Sequence, residues 1–550
     1  MNQPLYFRAR RGGEEREGFL SEDIRPGGTY KTLDEQREVL SPAEERFERR
    51  RRTIGLFLGP VALLIMMLLP LGLPYSQQSL AAVLAFVVVY WVTEAIPIPV
   101  TAVIGLALAV ILNVPQVATD AEDDPADVIF GSFADDTIFL FIGSFIIAQA
   151  MMTHGLDRRF AYLVLSIPGI ARSTYGVIIG FGLIAASISA FVSNTATTAM
   201  LFPIGLGIMG ALAGLVSDQS EGDTDVRRLR FGTALMLMIA YAASVGGLLT
   251  PIGSPPNLIG REFIEQETGT VISFFEWVVL AFPIVVIMFV LLCIILILLN
   301  RPETREITGA EEFIAEEREK LGGLSRGERN TLIVFGLAVF FWILPGIIGI
   351  IFGDESAAYA VVYDRINEGV VAVVAAGLLF ILPINWSERR FTLNWNEAVR
   401  IDWGTILLFG SGIALGTLLS ETGLAETIGT GLTEGLGVSS LFAITLLSTI
   451  VALIISETTS NTASATIVVP IVLPIAASAG VNPVIPALAA VFGASYGFML
   501  PVSTPPNAIV YGSGMIPITK MIRSGIVFDI IGVVLITFGI TVMARLVGLA

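Results

Sequence analysis

Apolar stretches of about 20 residues recur along the whole chain, and this spacing restricts the fold more than any other feature. A helix of about that length is needed to cross a bilayer. We count eleven such stretches, together with two shorter-armed stretches expected to enter and leave the membrane on one side. Hydrophobic residues make up 54% of the 550 residues and charged residues 15%, outside the range of soluble globular chains. The sequence predicts an all-α polytopic membrane protein with about 11 transmembrane helices plus two re-entrant helical hairpins.

The arginines give the expected orientation, because arginines near span ends stay cytoplasmic while acidic residues have little topological effect. Arg46 and the run Arg49 to Arg52 precede the first span, which places the polar N-terminal arm, residues 1–50, in the cytoplasm. The segments 114–136 and 420–437 contain no Lys or Arg and are expected outside. The sequence therefore predicts a multi-pass protein of the cell (plasma) membrane with a cytoplasmic N-terminus and an external C-terminus.

The overall charge argues against nucleic acid as a partner. The formal net charge is −16, so the chain has no basic excess to attract phosphates. The acidic run from Asp120 to Asp124 is compatible with a very salty medium or with an ordinary acidic loop. The single cysteine, Cys293, rules out a disulfide within the chain.

Two halves of the chain carry related motifs in the same order. Gly155 returns as Gly423 at an offset of 268 residues, and Ser193-Asn194-Thr195 returns as Ser460-Asn461-Thr462 at an offset of 267. Pro255-Pro256-Asn257 then returns as Pro505-Pro506-Asn507 at an offset of 250. Three blocks in one order at near-constant spacing indicate an internal repeat.

An odd number of spans separates equivalent elements, so the two halves are expected to have opposite orientations. Inverted repeats of this kind are typical of secondary transporters, with the binding site near mid-membrane. The expected boundaries are a polar cytoplasmic arm at 1–50, first scaffold helices at 51–115, a first half at 136–300, a cytoplasmic linker at 301–330 and a second half at 331–550.

Each Ser-Asn-Thr triplet is expected at the tip of a re-entrant hairpin. A hairpin tip leaves backbone amides and carbonyls unpaired, so it must be buried in protein or line an aqueous cavity. Helix N-termini there favour an anion, whereas hydroxyl, amide and carbonyl oxygens suit Na⁺ better than a transition metal. Ser189 and Ser456 each lie four residues before a triplet, which adds a hydroxyl on the same helical face. Hydrogen bonding between helices is the simpler alternative.

The Pro-Pro-Asn motifs predict a break in each of two further spans. Each eight-residue stretch, 250–257 and 500–507, contains three prolines, which remove backbone donors and end a helix. Carbonyl groups near Gly253 and Ser503, and the hydroxyls of Ser254 and Thr504, are then free to face a ligand. A simple proline kink would explain one proline per span better than three.

At these motifs the chain resembles the divalent anion:sodium symporters, which carry dicarboxylates, tricarboxylates or sulfate. The run ASYGFMLPVSTPPNAIV, residues 494–510, resembles the C-terminal signature of that family, and WVTEAIPIPVT, residues 91–101, is similar to its early span motif. SETTSNTA, residues 456–463, matches its second hairpin. The resemblance covers roughly residues 50 to 550.

The resemblance implies two Na⁺ sites with an anion site between them. The first Na⁺ site would use Ser189, Ser193, Asn194 and the backbone of Gly253, and its mirror would use Ser456, Ser460, Asn461 and the backbone of Ser503. The substrate carboxylates would be held by Asn194, Thr195, Asn461 and Thr462, with help from Ser254, Thr504 and Pro505. Similar family members form homodimers in the lipid membrane and move a transport domain against a scaffold, an elevator mechanism.

The charges predict how cation and anion are coupled. No Lys or Arg occurs in either triplet or either Pro-Pro-Asn motif, so a dianion there lacks a side-chain counter-charge, which is costly at low dielectric. Bound Na⁺ would supply that charge. The sequence thus predicts uptake of di- or tricarboxylates of the succinate, malate, fumarate and citrate class, driven by inward Na⁺ movement.

Several alternatives stay open. The chain could exchange one dicarboxylate for another without net Na⁺ movement, or be a sulfate or proton-coupled carrier. An anion channel gains nothing from two opposed hairpins, and no nucleophile–base pair or phosphate loop indicates an enzyme. Glu457 is expected to have a structural hydrogen-bonding role rather than that of a proton carrier, Glu94 to be an interfacial anchor, and His154 not to be a proton switch.

Overall fold

The structure is a computed structural model, which describes residues 8–11, 14–17, 42–115, 124–219, 229–306, 310–353, 356–436 and 440–549. Most of the polar arm predicted at 1–50 lies outside the described residues, as does the acidic run at 120–124 except for Asp124. Two short antiparallel strands within the arm, β1 (Arg8–Arg11) and β2 (Glu14–Glu17), are described.

Nearly all other described elements are helices. The region before the repeat contains α1 (Pro42–Leu68), α2 (Tyr75–Thr93), α3 (Ile98–Ile111) and α4 (Pro125–Gly131), followed by a 3₁₀ turn at Ser132–Ala134. The first half contains α5 (Asp136–His154), α6 (Leu156–Leu165), α7 (Thr174–Ser189), α8 (Asn194–Gln219), α9 (Arg230–Gly246), a 3₁₀ turn at Pro251–Gly253, α10 (Pro255–Thr268) and α11 (Phe274–Leu299).

A connecting region and the second half follow. The connection contains α12 (Ala310–Leu321), α13 (Arg326–Phe352), α14 (Ala357–Arg365), α15 (Glu368–Leu379), the antiparallel strands β3 (Pro383–Asn385) and β4 (Arg390–Phe391), and α16 (Trp395–Ala398). The second half contains α17 (Trp403–Glu421), α18 (Leu424–Leu436), α19 (Leu441–Thr458), α20 (Asn461–Ser478), α21 (Val484–Ala494), α22 (Pro505–Tyr511) and α23 (Ile518–Val547).

The seven helices α5 to α11 return in the same order as α17 to α23. Asp136 and Trp403, which begin α5 and α17, differ by 267 in residue number, as do Asn194 and Asn461, which begin α8 and α20. The turn after the first helix of each half has a glycine at φ 71, Gly155 and Gly423. A glycine fits there because a left-handed residue closes a helix and other residues adopt it at a cost. The repeated motifs thus correspond to a repeated order of helices.

Nine helices in the described part of the chain are long and apolar enough to cross a membrane. They include both arms of the second hairpin, 441–458 and 461–478, whereas the first arm of the first hairpin, 174–189, is among five shorter apolar helices. Large apolar side chains such as Phe57, Leu64 and Ile350 are exposed on the outside of α1 and α13, as is expected of a surface that faces lipid. A helical multi-pass membrane protein is confirmed, and the count of eleven crossings stays a prediction.

The two halves pack into each other around the broken helices. α8 of the first half packs against α22 of the second, and α20 of the second packs against α10 of the first. Across the same boundary Tyr241 Oη donates a hydrogen bond of 2.5 Å to the Phe498 carbonyl oxygen, and the two rings lie 4.8 Å apart. The motifs of both halves therefore belong to one packed body.

The linker after α11 is attached to the start of α9 through a carboxylate. The backbone N–H groups of Arg230 and Phe231 donate to the Glu303 carboxylate at 2.6 and 3.2 Å. Burial alone would raise the pKa of Glu303, but these hydrogen bonds and the Arg230 side chain hold that pKa below its ordinary value. The carboxylate satisfies N–H groups that a helix N-terminus leaves unpaired.

Candidate functional site

The first Ser-Asn-Thr triplet lies where α7 gives way to α8. Ser189 is the last residue of α7, is buried, and donates its hydroxyl proton to Asn194 Oδ1 at 2.6 Å. Ser193 Oγ accepts the N–H of Ala196 at 3.3 Å and so caps α8. Ser193 is exposed and Asn194 and Thr195 are half-buried. The tip therefore presents oxygen atoms at a surface that a ligand can reach.

The second triplet repeats this arrangement between α19 and α20. Ser456 Oγ donates to Asn461 Oδ1 at 2.8 Å, and Ser460 Oγ accepts the N–H of Ala463 at 3.2 Å. Ser456 Oγ also lies 2.6 Å from the Ala494 carbonyl oxygen, a second acceptor that Ser189 lacks among the described residues. The same serine–asparagine bond thus occurs at both tips, with a difference in the serine's surroundings.

Each Pro-Pro-Asn motif follows an unwound stretch of chain, as expected. Asn257 Nδ2 donates to the carbonyl oxygens of Gly247 and Thr250, both at 2.8 Å. Asn507 Nδ2 donates to the carbonyl oxygens of Gly497 and Leu500, at 2.9 and 3.0 Å. Donor and acceptors of the second loop follow those of the first at a constant offset of 250 residues. Both asparagines therefore close the preceding loop in the same way.

The first hairpin tip and the first loop meet at two glycines. A methyl group on Gly247 would lie 2.4 Å from Asn194 Oδ1 and 3.1 Å from the Gly253 carbonyl oxygen. A methyl group on Gly253 would lie 2.9 Å from the Ala190 carbonyl oxygen, which accepts a hydrogen bond from Thr250 Oγ1. The structure thus brings together Ser189, Asn194 and Gly253, while Ser193 is engaged as a helix cap.

The second tip meets the second loop at the equivalent glycine. A methyl group on Gly497 would lie 3.1 Å from both Ser456 Oγ and Ser503 Cβ. Ser503 Oγ donates to the Glu457 carbonyl oxygen at 3.2 Å and to its carboxylate at 2.6 Å. Ser456, Asn461 and Ser503 are therefore brought together, and Ser460 caps α20 as Ser193 caps α8.

The residues assigned to the anion differ in how their hydroxyls are occupied. Ser254 and Thr504 precede α10 and α22, and Thr504 Oγ1 accepts the N–H of Asn507 at 3.3 Å. Ser254 Oγ is buried and has no hydrogen-bond partner among the described residues. Thr195, Thr462 and Pro505 are half-buried. Ser254 consequently offers a buried hydroxyl that is available to a ligand.

A cation such as Na⁺ suits the donor set of both tips. The buried oxygens Asn257 Oδ1 and Asn507 Oδ1 also lack a hydrogen-bond partner among the described residues, and unsatisfied buried oxygens are costly unless a ligand or water binds them. Hydroxyl, amide and carbonyl oxygens are hard ligands. In the described ranges no group of three or more His, Cys, Asp or Glu side chains is gathered.

Glu457 has the structural hydrogen-bonding role expected of it. Its carboxylate accepts the N–H groups of Met499 and Leu500, at 2.8 and 3.3 Å, as well as the Ser503 hydroxyl. Glu457 is 2% exposed. The carboxylate therefore fixes residues 499–503 against the second hairpin.

Asp529 was not singled out from the sequence. It is 4% exposed and faces Glu457 from α23, and neither of its oxygens has a donor among the described residues. Gly525 and Gly532, one turn to either side, lie against the Met499 backbone and the Tyr496 ring. The sequence does contain a signal for Asp529, because it is an aspartate within an apolar helix of 30 residues. Ionisable residues inside membrane spans usually serve a function.

Arg51 corrects one expectation from the sequence. Its Nη1 donates to the Thr458 carbonyl oxygen at 3.3 Å, so a basic side chain does approach the second hairpin although none occurs within the motifs. Arg51 and Arg52 also pair with Glu94 at 3.2 and 3.3 Å. The negative charge of Glu94 offsets one of their two positive charges. The contact between Arg51 and Thr458 joins residues that are 407 positions apart in the sequence.

His154 and Glu94 have structural partners. His154 Nε2 lies 2.6 Å from the Thr392 carbonyl oxygen, between α5 and the β3–β4 hairpin. Glu94 ends α2 in a left-handed conformation at φ 47 and forms the ion pairs with Arg51 and Arg52. Both contacts join the ends of spans.

Comparisons with known proteins agree with one another at the level of family. The family model described as "Sodium:sulfate symporter transmembrane region" matches residues 50–549. The sodium-dependent dicarboxylate transporter SdcS of Staphylococcus saprophyticus is 33% identical over 488 residues, which cover 88% of this chain and 89% of that protein. SdcS of Staphylococcus aureus is 33% identical over 491 residues, with the same shares covered.

One solved structure, that of the Alcanivorax borkumensis YdaH transporter, aligns with a TM-score of 0.46 at 14% sequence identity. The alignment covers 76% of this chain and 87% of that chain. The likeness is too low to support an argument about fold or function.

Proposed function

Because this chain belongs to the sodium:sulfate symporter family, we propose that it is a secondary transporter that couples inward Na⁺ movement to uptake of di- or tricarboxylates. The resemblance to the divalent anion:sodium symporters is thereby confirmed as to family. The relatives at 33% identity carry the name of sodium-dependent dicarboxylate transporters, which supports both the ion and the substrate class.

The observation that carries the proposal is the matched pair of hairpin tips. Each tip holds one serine–asparagine hydrogen bond, 2.6 Å in the first half and 2.8 Å in the second. Each tip also lies against an unwound loop that an asparagine side chain closes. Helix packing alone does not explain why both hairpins contain a serine–asparagine hydrogen bond, because an apolar hairpin would fill the same space without the free-energy cost of burying polar groups.

Two Na⁺ ions are proposed to bind at these tips. The first is held by Ser189, Ser193, Asn194 and the Gly253 carbonyl oxygen, and the second by Ser456, Ser460, Asn461 and the Ser503 carbonyl oxygen. The short distances from Gly247 to Asn194 and from Gly497 to Ser456 support this grouping. When an ion binds, each serine hydroxyl turns its proton away from the asparagine oxygen, so that both oxygens face the cation.

The anion is proposed to bind between the two tips. Its carboxylates accept hydrogen bonds from Asn194, Thr195, Asn461 and Thr462, with Ser254, Thr504 and Pro505 completing the site. The free Ser254 hydroxyl supports this position, since it is a buried donor without a protein partner among the described residues. The packing of α8 against α22 and of α20 against α10 supports a site shared by both halves.

The coupling between Na⁺ binding and anion binding follows from the charges at the site. Arg51 approaches the second tip, but Arg51 and Arg52 share the carboxylate of Glu94, which leaves at most one positive charge for the two negative charges of a dianion. Cation and anion therefore raise each other's affinity, and by linkage the effect is reciprocal. We further propose that the halves are inverted, with the repeated helices α5–α11 and α17–α23 lying within the segments 136–300 and 331–550. We also propose a homodimer in the plasma membrane and an elevator motion of the tips and loops against the other helices.

The test is uptake of labelled succinate, malate, fumarate, citrate and sulfate into proteoliposomes, with an inward Na⁺ gradient or with choline in place of Na⁺. We expect uptake of a dicarboxylate that needs Na⁺ and saturates with substrate. Uptake unchanged in choline, or counterflow that persists without Na⁺, would contradict symport. The variants Asn194→Ala and Asn461→Ala should lose this uptake, and Asn482→Ala, at an asparagine between α20 and α21 and away from both tips, is their control.

A further inference from the structure

The exposed tryptophans of this chain are confined to one short segment. Trp386, Trp395 and Trp403 are 73%, 68% and 46% exposed, whereas Trp91, Trp277 and Trp342 are each 2% exposed or less. Trp386 and Trp395 lie in the connection between α15 and α17, and Trp403 is the first residue of α17. Indole rings are enriched where lipid headgroups meet the protein, because they combine an apolar body with one N–H donor.

This segment is held firmly at one end of the membrane helices. Arg326 Nη1 and Asn330 Nδ2, from the first two turns of α13, donate to the carbonyl oxygens of Ile384 and Pro383 at 3.3 and 3.2 Å. Asn330 also donates to Thr392 Oγ1 at 2.9 Å. The β3–β4 hairpin is therefore fixed beside the start of α13, on the side where the arginines predict the cytoplasm.

A cavity of about 450 Å³ lies between this hairpin and the end of α5. Its lining includes His154, Phe380, Arg389, Arg390 and Asn394. Two carboxylates also line it, but Glu397 is bonded to Asn394 in a capping box at the start of α16. Glu388 is then the one lining carboxylate without such a partner in the described ranges.

The two cavity arginines have no ion-pair partner. Neither Arg389 nor Arg390 forms a salt bridge with any residue that the structure describes, although both are exposed at the cavity. Arg389 has φ 51, a conformation that costs free energy for a side chain with a Cβ atom. A guanidinium group matches the oxygens of a phosphate in geometry and charge. Two adjacent unpaired arginines therefore make the cavity complementary to a phosphate group.

We propose that this cavity binds the headgroup phosphate of an anionic glycerophospholipid of the membrane leaflet that faces it. The phosphate lies against Arg389 and Arg390, and the acyl chains run along the exposed rings of Trp386 and Trp395 and the exposed Ile381. A lipid fits better than a soluble phosphate, because only a lipid also covers the apolar rings. Basic residues beside a membrane span are a common basis for anionic lipid binding.

The first test is thermal unfolding of the full chain in detergent, titrated with phosphatidylglycerol or with phosphatidylcholine, since a bound ligand raises the unfolding temperature. We expect saturable stabilisation by phosphatidylglycerol. The double variant Arg389→Gln/Arg390→Gln should need about tenfold more of it, as expected when a charge-assisted bond is lost. The control is Arg365→Gln/Arg545→Gln, which removes two exposed arginines at the C-terminal ends of α14 and α23 and should respond like the unaltered protein.

Equal phosphatidylglycerol affinity in the unaltered chain and the Arg389→Gln/Arg390→Gln variant would overturn the proposal. So would an equal stabilisation by glycerol 3-phosphate, which would assign the cavity to a soluble phosphate. If that variant fails to fold, indole fluorescence of the unaltered protein decides. Phosphatidylglycerol brominated on its acyl chains should quench the indole fluorescence more strongly than brominated phosphatidylcholine does. Equal quenching by the two lipids would contradict the proposed lipid site.

Discussion

Ser503 Oγ donates a 2.6 Å hydrogen bond to the Glu457 carboxylate and thereby joins the second unwound loop to the second hairpin. In the first half Thr250 Oγ1 donates to the Ala190 carbonyl oxygen, so the joint there has no carboxylate. The hairpin residues Ala190 and Glu457 are equivalent at the offset of 267, whereas the loop residues Thr250 and Ser503 are not, and of these two contacts the second alone involves a charge. Substitutions at equivalent positions should consequently have unequal effects.

Glu457→Gln should lower the thermal stability of the protein clearly. The carboxylate accepts three donors, from Met499, Leu500 and Ser503, and an amide group would turn its own N–H toward at least one of them. Leaving a buried donor unsatisfied costs about 1–3 kcal/mol. Thermal unfolding in detergent measures the loss.

Asp529→Asn is the companion variant for Glu457→Gln. Asp529 faces Glu457 and has no donor among the described residues, whereas an asparagine can donate to Glu457. We expect its stability to equal or exceed that of the unaltered protein. A large loss in Asp529→Asn, or a Glu457→Gln protein that is fully stable, would show that Glu457 does not act as this acceptor.

Asn194→Ala and Asn461→Ala should both abolish transport but leave unequal Na⁺ affinity. Loss of an oxygen that contacts a cation costs about 1.5–3 kcal/mol, or about 10- to 100-fold in affinity at that site. Ser456 can direct its proton to the Ala494 carbonyl oxygen when a cation binds, whereas Ser189 must give up its one bond. The second site should therefore bind Na⁺ about 2- to 10-fold more tightly.

The measurement is stabilisation by Na⁺, with choline as the reference, in each single variant. Asn194→Ala retains the second site and should respond at a lower Na⁺ concentration than Asn461→Ala. Normal uptake by either variant would refute the assignment of that tip, and the reverse order of affinities would refute the role given to Ala494.

Gly247→Ala should weaken Na⁺-dependent stabilisation to the level of Asn194→Ala, because it disturbs the first site and leaves the second intact, while the protein stays folded. The added methyl group would lie 2.4 Å from Asn194 Oδ1, so the asparagine has to move. Gly336→Ala in α13 is the matched control, because nothing lies within 4 Å of its new methyl group. An unchanged Na⁺ response in Gly247→Ala would place the first cation site elsewhere.

Asn257→Asp and Asn507→Asp should destabilise the protein by similar amounts. Each substitution keeps the size of the side chain but removes the amide that donates to two loop carbonyls. The expected cost is about 1–3 kcal/mol in each case. Limited proteolysis and thermal unfolding should show the change, and a protein that tolerates both would mean that the loops need no such closure.

Glu303→Gln should change how stability depends on pH. The pKa of Glu303 lies below its ordinary value in the folded protein, so this group adds stability above the unfolded-state pKa, and that contribution disappears as pH falls through the folded-state pKa. The variant should therefore be less stable near neutral pH and lose less stability on acidification. Parallel pH profiles of unfolding temperature for variant and unaltered protein would contradict this.

Much of the site could be predicted because it is built from residues that stand out in an apolar sequence. Prolines, glycines and the Ser-Asn-Thr triplets mark helix breaks locally, and their repetition pairs the halves without any knowledge of packing. The contacts of Ser189 with Asn194 and of Asn257 with Gly247 span ten residues or fewer. Such contacts follow from local chemistry.

The contacts that were missed depend on distant packing. Arg51 reaches Thr458 across 407 residues, and Asp529 faces Glu457 only because Gly525 and Gly532 allow α23 close to the second loop. No periodicity or spacing in the sequence encodes which distant helices become neighbours. The charge near the second tip was therefore underestimated from the sequence.

The loops closed by Asn257 and Asn507 need no ion to keep their shape, because their hydrogen bonds lie within the chain. When an ion binds, the loop side of its site is already formed, and only the hairpin tip on the other side has to become ordered. This lowers the conformational entropy lost on binding. A larger cation such as K⁺ needs longer distances to its oxygen ligands than Na⁺ does. Selectivity for Na⁺ should accordingly depend on how far each hairpin tip can move away from the fixed loop that it faces.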